Sequence, residues 1–149
     1  MAEYEQDDLI TVERELIALS RRLRNGARGI YAANGLTFTE YSLLRIIDDT
    51  PGITAAELAV TAAIDKSTAS RQLGALRRRG FLAGTADGRS TRGHGLEPTD
   101  RAVATLDEIS DASATAISAL LSDWPPEDIA TFARLLHRYN STPPASAVD

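Results

Sequence analysis

The chain has 149 residues, 43% of them hydrophobic and 25% charged, with no cysteine, two histidines and a formal net charge of -5. That length fits one compact domain with its own core, or one domain plus an oligomerisation element. Without cysteine there are no disulfides, thiolate metal ligands or thiol redox sensor, and His94 and His137 are too few for a histidine zinc site. No run approaches the roughly eighteen apolar residues of a membrane span, and the opening MAEYEQDD is acidic. The sequence is therefore read as that of a cytoplasmic protein with neither membrane segment nor signal peptide.

The charge is unevenly distributed. Residues 66–101 hold eight Lys/Arg and three Asp/Glu, so a basic block of +5 sits in a chain that is otherwise at -10. Such a block is the footprint of a localised anion-binding surface. A solvated charged face would give the same count, and charge alone does not separate the two.

In chain order, Leu9, Leu16, Leu23 and Ile30 recur seven apart with Val12 and Leu19 between them, a heptad seam interrupted at Gly26. A seam this regular packs on another helix, within the chain or across a dimer. Residues 39–82 divide into short helices. Thr39 precedes the first, YSLLRIIDD, which Pro51-Gly52 ends with a turn. Thr54 and Glu57 have the spacing of a capping box ahead of Leu58-Ala59, and Asp65 caps a third helix that stops at Gly80. FLAGT and HGLE are short strand candidates around the Gly-rich, two-arginine stretch ADGRSTRG, which together read as a β-hairpin. Thr99 caps a further helix with the apolar stripe Val103, Leu106, Ile109, Ile117 and Leu120. Trp124-Pro125-Pro126 interrupts it, and Ile129, Phe132, Leu136 and Tyr139 begin another. The tail STPPASAVD is expected to be disordered.

Residues 54–79 thus hold two short helices joined by about four residues, the spacing of a helix-turn-helix. On the second, Ala69, Leu73 and Leu76 fall in one narrow arc, and the opposite arc is centred on Ser67, Arg71, Gly74 and Arg78. Hydroxyls and guanidinium groups suit base edges and phosphates, since arginine grips guanine with two bonds. Gly74 costs a helix about 0.8–1 kcal/mol relative to alanine, which makes sense where a duplex must come close. A lone amphipathic helix would be an ordinary surface helix; the capped helix before it and the basic hairpin after it argue for a nucleic-acid interface. Arg89 and Arg92 sit on the hairpin tip, where arginine can enter a narrow minor groove.

No enzyme motif competes. Gly88 to Gly93 has the gap of a phosphate loop, but His94-Gly95 follows where Lys and Ser or Thr are needed. There is no Gly-x-Ser-x-Gly elbow. Asp7-Asp8 and Asp48-Asp49 are adjacent pairs, which point about 100° apart on a helix and suit capping or solvation rather than joint acid–base work. No catalytic residue, metal or cofactor is expected.

The stretch ITAAELAVTAAIDKSTASRQLGALRRRGFL, then the hairpin, then LEPTDRA leading into a long helix, resembles the MarR family of winged helix-turn-helix regulators. The similarity runs from about Leu36 to Glu108 and is carried by Leu58-Ala59, the DKST start of the second helix, Leu76, Gly80 and Phe81-Leu82. The resemblance implies a mainly α fold with a small β-hairpin wing. It divides the chain into an N-terminal dimerisation helix (1–34), a winged helix-turn-helix domain (35–98), C-terminal dimerisation helices (99–140) and a disordered tail (141–149). It implies a homodimer reading a two-fold symmetric site on double-stranded DNA. Ser67, Thr68, Ser70 and Arg71 would face the major groove, with Lys66 near the phosphates and Arg78 on the same DNA-facing arc. Asp87-Gly88-Arg89-Ser90 looks like the family's aspartate-x-arginine-serine signature. The hairpin is about one residue longer than the family spacing, so Arg89 and Arg92 are rivals for the minor groove. Glu97 and Asp100 stand where the family has threonine and glycine, at the start of a helix whose dipole favours acids.

The resemblance further implies a repressor released by a small aromatic or phenolic effector held between the dimerisation helices and the winged domain. Arg45 is the candidate partner of an effector carboxylate, and Tyr31 and Tyr41 near it are read as core or interface residues. The alternative is a winged-helix module that acts through protein partners without operator binding; Arg71, Arg89 and Arg92 argue against it, because an abandoned DNA face need not stay basic.

Overall fold

The computed structural model of the chain describes residues 5–26, 28–84 and 95–143. These form seven helices: α1 (Gln6–Gly26), α2 (Arg28–Ala33), α3 (Phe38–Asp49), α4 (Ala55–Thr61), α5 (Lys66–Arg78), α6 (Asp100–Leu120) and α7 (Pro126–Asn140). They fall into two compact units, Met1–Ser113 and Ala114–Asp149, with α6 belonging partly to each.

The first unit is built on one apolar core. Leu44, Ile47, Leu58, Leu76, Leu106 and Ile109 are completely or almost completely buried, joined by Leu43, Leu73 and Phe81. Each such side chain contributes about 1.5–3 kcal/mol of transfer free energy. The inward face of α5 is the one its sequence specifies: Ala69, Leu73 and Leu76 are buried.

Local signals fix the helix starts. Thr37 and Glu40 form a full capping box at α3, the Thr37 hydroxyl accepting from the Glu40 N–H and the Glu40 carboxylate accepting from the Thr37 N–H. The start expected at Thr39 is therefore corrected to Thr37, because Thr37 has a glutamate three residues on whereas Thr39 is followed by Ser42. Thr54 and Glu57 make the same box at α4, and Asp65 caps α5.

Helix ends follow one pattern. After α2, α4 and α5 the chain turns through a left-handed residue, namely Gly35 (φ 69°), Ala63 (φ 53°) and Gly80 (φ 78°). The next residue then donates back into the helix: Leu36 to Tyr31, Ile64 to Ala59 and Phe81 to Leu76, at 2.9–3.0 Å. This is the Schellman arrangement, which favours glycine at the left-handed position. Alanine holds it in the turn between α4 and α5.

Among the described residues no strand of the expected hairpin is found; its base is marked by an isolated bridge. Leu82 and Pro98 form an antiparallel bridge and Ala83 N–H donates to Glu97 O at 2.9 Å. Gly84 (φ 102°) then takes the backbone out of extended geometry. Residues 85–94, with the whole of the expected tip, lie outside the described residues. The returning segment reaches a third partner, since Leu96 N–H donates to Ile53 O at 2.7 Å. Gly95 makes this approach possible: a Cβ there would lie 2.7 Å from the Gly52 Cα.

The N-terminal seam divides. Ile30 packs against the core. On α1 no residue is buried; Leu9, Val12 and Leu23 are exposed and Leu16 and Leu19 half-buried. In α6, the stripe likewise splits between buried Leu106 and Ile109 and exposed Ile117 and Leu120.

In the second unit, Pro126 opens α7 at its first position, where a missing N–H costs nothing. Trp124 lies edge-on to Phe132, with ring centroids 5.7 Å apart. Ile129, Phe132, Leu135 and Tyr139 remain exposed. Ser141 N–H closes the helix by donating to His137 O and Tyr139 O. Residues 144–149 lie outside the described residues.

Candidate nucleic-acid interface

Asp65 organises the start of α5. Its carboxylate accepts from the Thr68 N–H (2.8 Å), the Ser67 hydroxyl (2.5 Å) and the Thr68 hydroxyl (2.7 Å). The Ser67 and Thr68 hydrogen bonds hold the Asp65 carboxyl well below the usual carboxylate range. Arg71 Nη2 in turn donates to Thr68 Oγ1 at 3.1 Å. Asp65, Ser67, Thr68 and Arg71 are thus one hydrogen-bonded group. The two hydroxyl protons point to Asp65 and Thr68 Oγ1 accepts from Arg71, which leaves the Ser67 lone pairs, one on Thr68 and the remaining Arg71 N–H groups for a partner outside.

The candidate residues on α5 are placed as follows. Lys66, Ser67, Ser70, Arg71 and Arg78 are exposed, and Thr68 is half-buried. No acid occurs between Asp65 and Asp87. Among the described residues neither Lys66, Arg71, Arg77 nor Arg78 pairs with a carboxylate; the ion pairs there are made by Arg45 and Arg79. At Gly74 an added Cβ would meet only the Arg78 guanidinium, at 3.4 Å, so packing within the chain does not require glycine there. Arg89 and Arg92 lie outside the described residues.

The sequence reading passes over two residues of the Arg77-Arg78-Arg79 run. Arg79, though exposed, folds back on α3, its Nη1 donating to Glu40 Oε1 at 2.7 Å and its Nη2 to Gly35 O. Arg77 is half-buried and lines a groove with Lys66 and Ser70. The available signal is the helical turn itself: successive residues point about 100° apart, so three consecutive arginines cannot share one task.

The end of α5 is tied to the start of α6 by three successive carbonyls. Arg101 Nη1 donates to Arg79 O (2.8 Å), Thr99 Oγ1 to Gly80 O (2.7 Å) and Thr99 N–H to Phe81 O (3.1 Å). The Thr99 hydroxyl also accepts from Ala102 N–H, capping α6. Both Arg79 and Arg101 lie over the Phe81 ring, 5.3 and 4.8 Å from its centroid, a cation–π arrangement.

Elsewhere, Arg45 of α3 faces Asp48 (3.6 Å) and Asp49 (3.2 Å). Tyr31 is buried and stacks on Tyr41 at 4.9 Å. Burial, then the neighbouring Tyr41, raise the Tyr31 phenol above its ordinary value. No group of three metal-ligating side chains occurs among the described residues, and no described helix is long and apolar enough to cross a membrane.

Residues 34–93 match the model of the MarR family. No curated protein sequence matches the chain. Among solved structures, a MarR family protein from Bacillus stearothermophilus superposes with a TM-score of 0.78 at 17% identity, over 91% of this chain and 95% of that one. A MarR family protein from Mycobacterium tuberculosis, in complex with DNA, gives a TM-score of 0.71 at 23% identity over 87% and 97%. Its complex with p-aminosalicylic acid gives 0.68 at 23% over 87% and 98%. The resemblance seen in the sequence is thus borne out by the family-model match, and the fold is that of MarR-family structures.

Proposed function

We propose that this chain is a sequence-specific DNA-binding transcriptional regulator, a cytoplasmic repressor that binds a pseudo-palindromic operator as a homodimer and is released by a small aromatic or phenolic effector. The observation that carries the reading is the outward face of α5: hydroxyls pre-set by Asp65, and cations without carboxylate partners among the described residues, back to back with the buried Ala69, Leu73 and Leu76. A helix of this kind fits the major groove, where Ser67, Thr68, Ser70 and Arg71 would read bases while Lys66 and Arg78 contact phosphates. Gly74 would admit the duplex. Arg89 or Arg92 would enter the minor groove.

In this reading the exposed apolar rows of α1, α6 and α7 are the dimerisation surfaces. They set the half-sites about 10 bp apart, one turn of the duplex. The tuberculosis relative's complexes with DNA, p-aminosalicylic acid and salicylic acid support both the DNA and the effector parts of the proposal. Arg45 is the proposed contact for an effector carboxylate, which would have to compete with Asp48 and Asp49.

The test is a titration of the full chain onto labelled DNA from upstream of its own gene, beside a shuffled duplex, at several salt concentrations. Binding confined to the native fragment, saturating at one dimer per site and released by an aromatic acid, is expected. Absence of binding to either duplex at low salt would overturn the reading in favour of a protein-interaction module.

A further inference from the structure

Beside the base-facing arc of α5 runs a groove of about 360 Å³ lined by Ala55, Ala56, Lys66, Ala69, Ser70, Leu73 and Arg77. Ser70 and Arg77 follow Lys66 by four and eleven positions, which brings all three within about 40° on one side of the helix. Side chains on a helix lean toward its N-terminus, so Arg77 extends back toward Ser70 and Lys66. No acid lines the groove, and neither cation has a carboxylate partner among the described residues. The floor is small and apolar, the rim cationic with one hydroxyl.

The opposite flank of α5 differs. Its cation is Arg79, which is held by Glu40 and the Gly35 carbonyl. A helix seated in a major groove about 12 Å wide turns its centre to the bases and its flanks to the phosphate walls. One flank of α5 is therefore neutralised from within, and the other offers free charge.

We infer that Arg77, on the flank of α5 that also carries Lys66, contacts a phosphodiester group of duplex DNA, apart from the base-reading Ser67, Ser70 and Arg71. The site rests on the proposed DNA-binding function. Arg77 positions the helix in the groove, adding affinity that is indifferent to sequence, because phosphate contacts set register and carry no base information.

The experiment measures binding of the full chain, as wild type, Arg77→Ala, Arg77→Lys and Arg77→Gln, to the native and shuffled duplexes between about 50 and 200 mM salt. The expected result is that Arg77→Ala and Arg77→Gln weaken both duplexes by the same factor. They also flatten the log–log salt dependence by about 0.9 per subunit bound, or about 3.5-fold less affinity lost across that range for each subunit. Arg77→Lys keeps the wild-type slope. Thermal unfolding identifies which variants are folded, and Arg77→Gln decides if Arg77→Ala is not. An unchanged slope in a folded variant, with wild type still bound, overturns the phosphate site and leaves the DNA-binding reading intact. Loss of discrimination between duplexes without a slope change makes Arg77 a base reader and also overturns it. Failure of the wild type to bind either duplex removes the DNA-binding reading and the site with it.

Discussion

Arg79 Nη1 donates to Glu40 Oε1 at 2.7 Å, joining residues 39 positions apart in sequence. Glu40 is 8% exposed, and its carboxylate also accepts from the Thr37 N–H, so a single side chain both caps α3 and receives the end of α5. The C-terminal end of α5 is thereby tied to the first turn of α3.

Removing Arg79 leaves that carboxylate buried with one cation fewer. Arg79→Ala is expected to cost about 1–3 kcal/mol of unfolding free energy in a urea titration at pH 7. Burial alone would raise the Glu40 carboxyl, but the Thr37 N–H and the Arg79 guanidinium outweigh it and the value is lowered. A carboxylate lowered on folding stabilises above its ordinary value, near 4.5, and loses that contribution as pH falls through the folded value. The stability gap between wild type and Glu40→Gln should therefore be widest at pH 7 and close progressively in acid. A gap constant from pH 7 to pH 3 would show that the charge is not what matters.

Arg71 is exposed and oriented by Thr68. Arg71→Ala should weaken binding to the native operator by about 1–3 kcal/mol while leaving non-specific binding much less affected. Equal loss on both duplexes in an anisotropy titration would assign it to phosphate instead.

Ala63 holds a left-handed conformation (φ 53°) that L residues with a Cβ adopt at a cost of about 1–2 kcal/mol. Ala63→Gly removes that strain against some loss of backbone entropy in the unfolded chain. The expected net effect is a stabilisation of about 1 kcal/mol, read as a higher Tm, with the turn between α4 and α5 unchanged.

Gly95 is the opposite case. A methyl group there would meet the Gly52 backbone at 2.7–3.0 Å, and backbone cannot move aside as a side-chain tip can. Gly95→Ala should destabilise the first unit by about 1–3 kcal/mol and break the Leu96–Ile53 hydrogen bond. Hydrogen exchange at the Leu96 amide is the direct readout, and an amide as protected as in wild type would refute the close contact.

Leu16 and Leu23 on α1 belong to the row proposed as a dimer surface, and neither is buried within the chain. The double substitution Leu16→Glu, Leu23→Glu should convert a sedimenting dimer to monomer or unfold it. A variant sedimenting as an unaltered dimer would place the subunit interface elsewhere.

Much of the local structure was legible because its signals are short-range. Thr54 with Glu57, Asp65 before KST, and Gly80 after the arginines each act within four residues, and the structure shows each cap. The apolar arc of α5 was legible for the same reason: Ala69, Leu73 and Leu76 lie within eight residues. Where two signals of one kind stood close together, as Thr37 and Thr39 do, the partner three residues on decided. The long-range pairings were not legible. Nothing near Arg79 in sequence announces Glu40, and nothing near Gly95 announces Gly52. Arg77 went unnoticed because its position acquires meaning only beside the first turn of α4.

The carbonyls of Arg79, Gly80 and Phe81 are all received by the first residues at α6, through Thr99 and Arg101. Mechanically this is a welded corner. These bonds join the end of α5 to the start of α6 directly, across the residues 82–98 that separate them in sequence. A change of angle at the start of α6 is thus coupled through three hydrogen bonds to the last residues of α5.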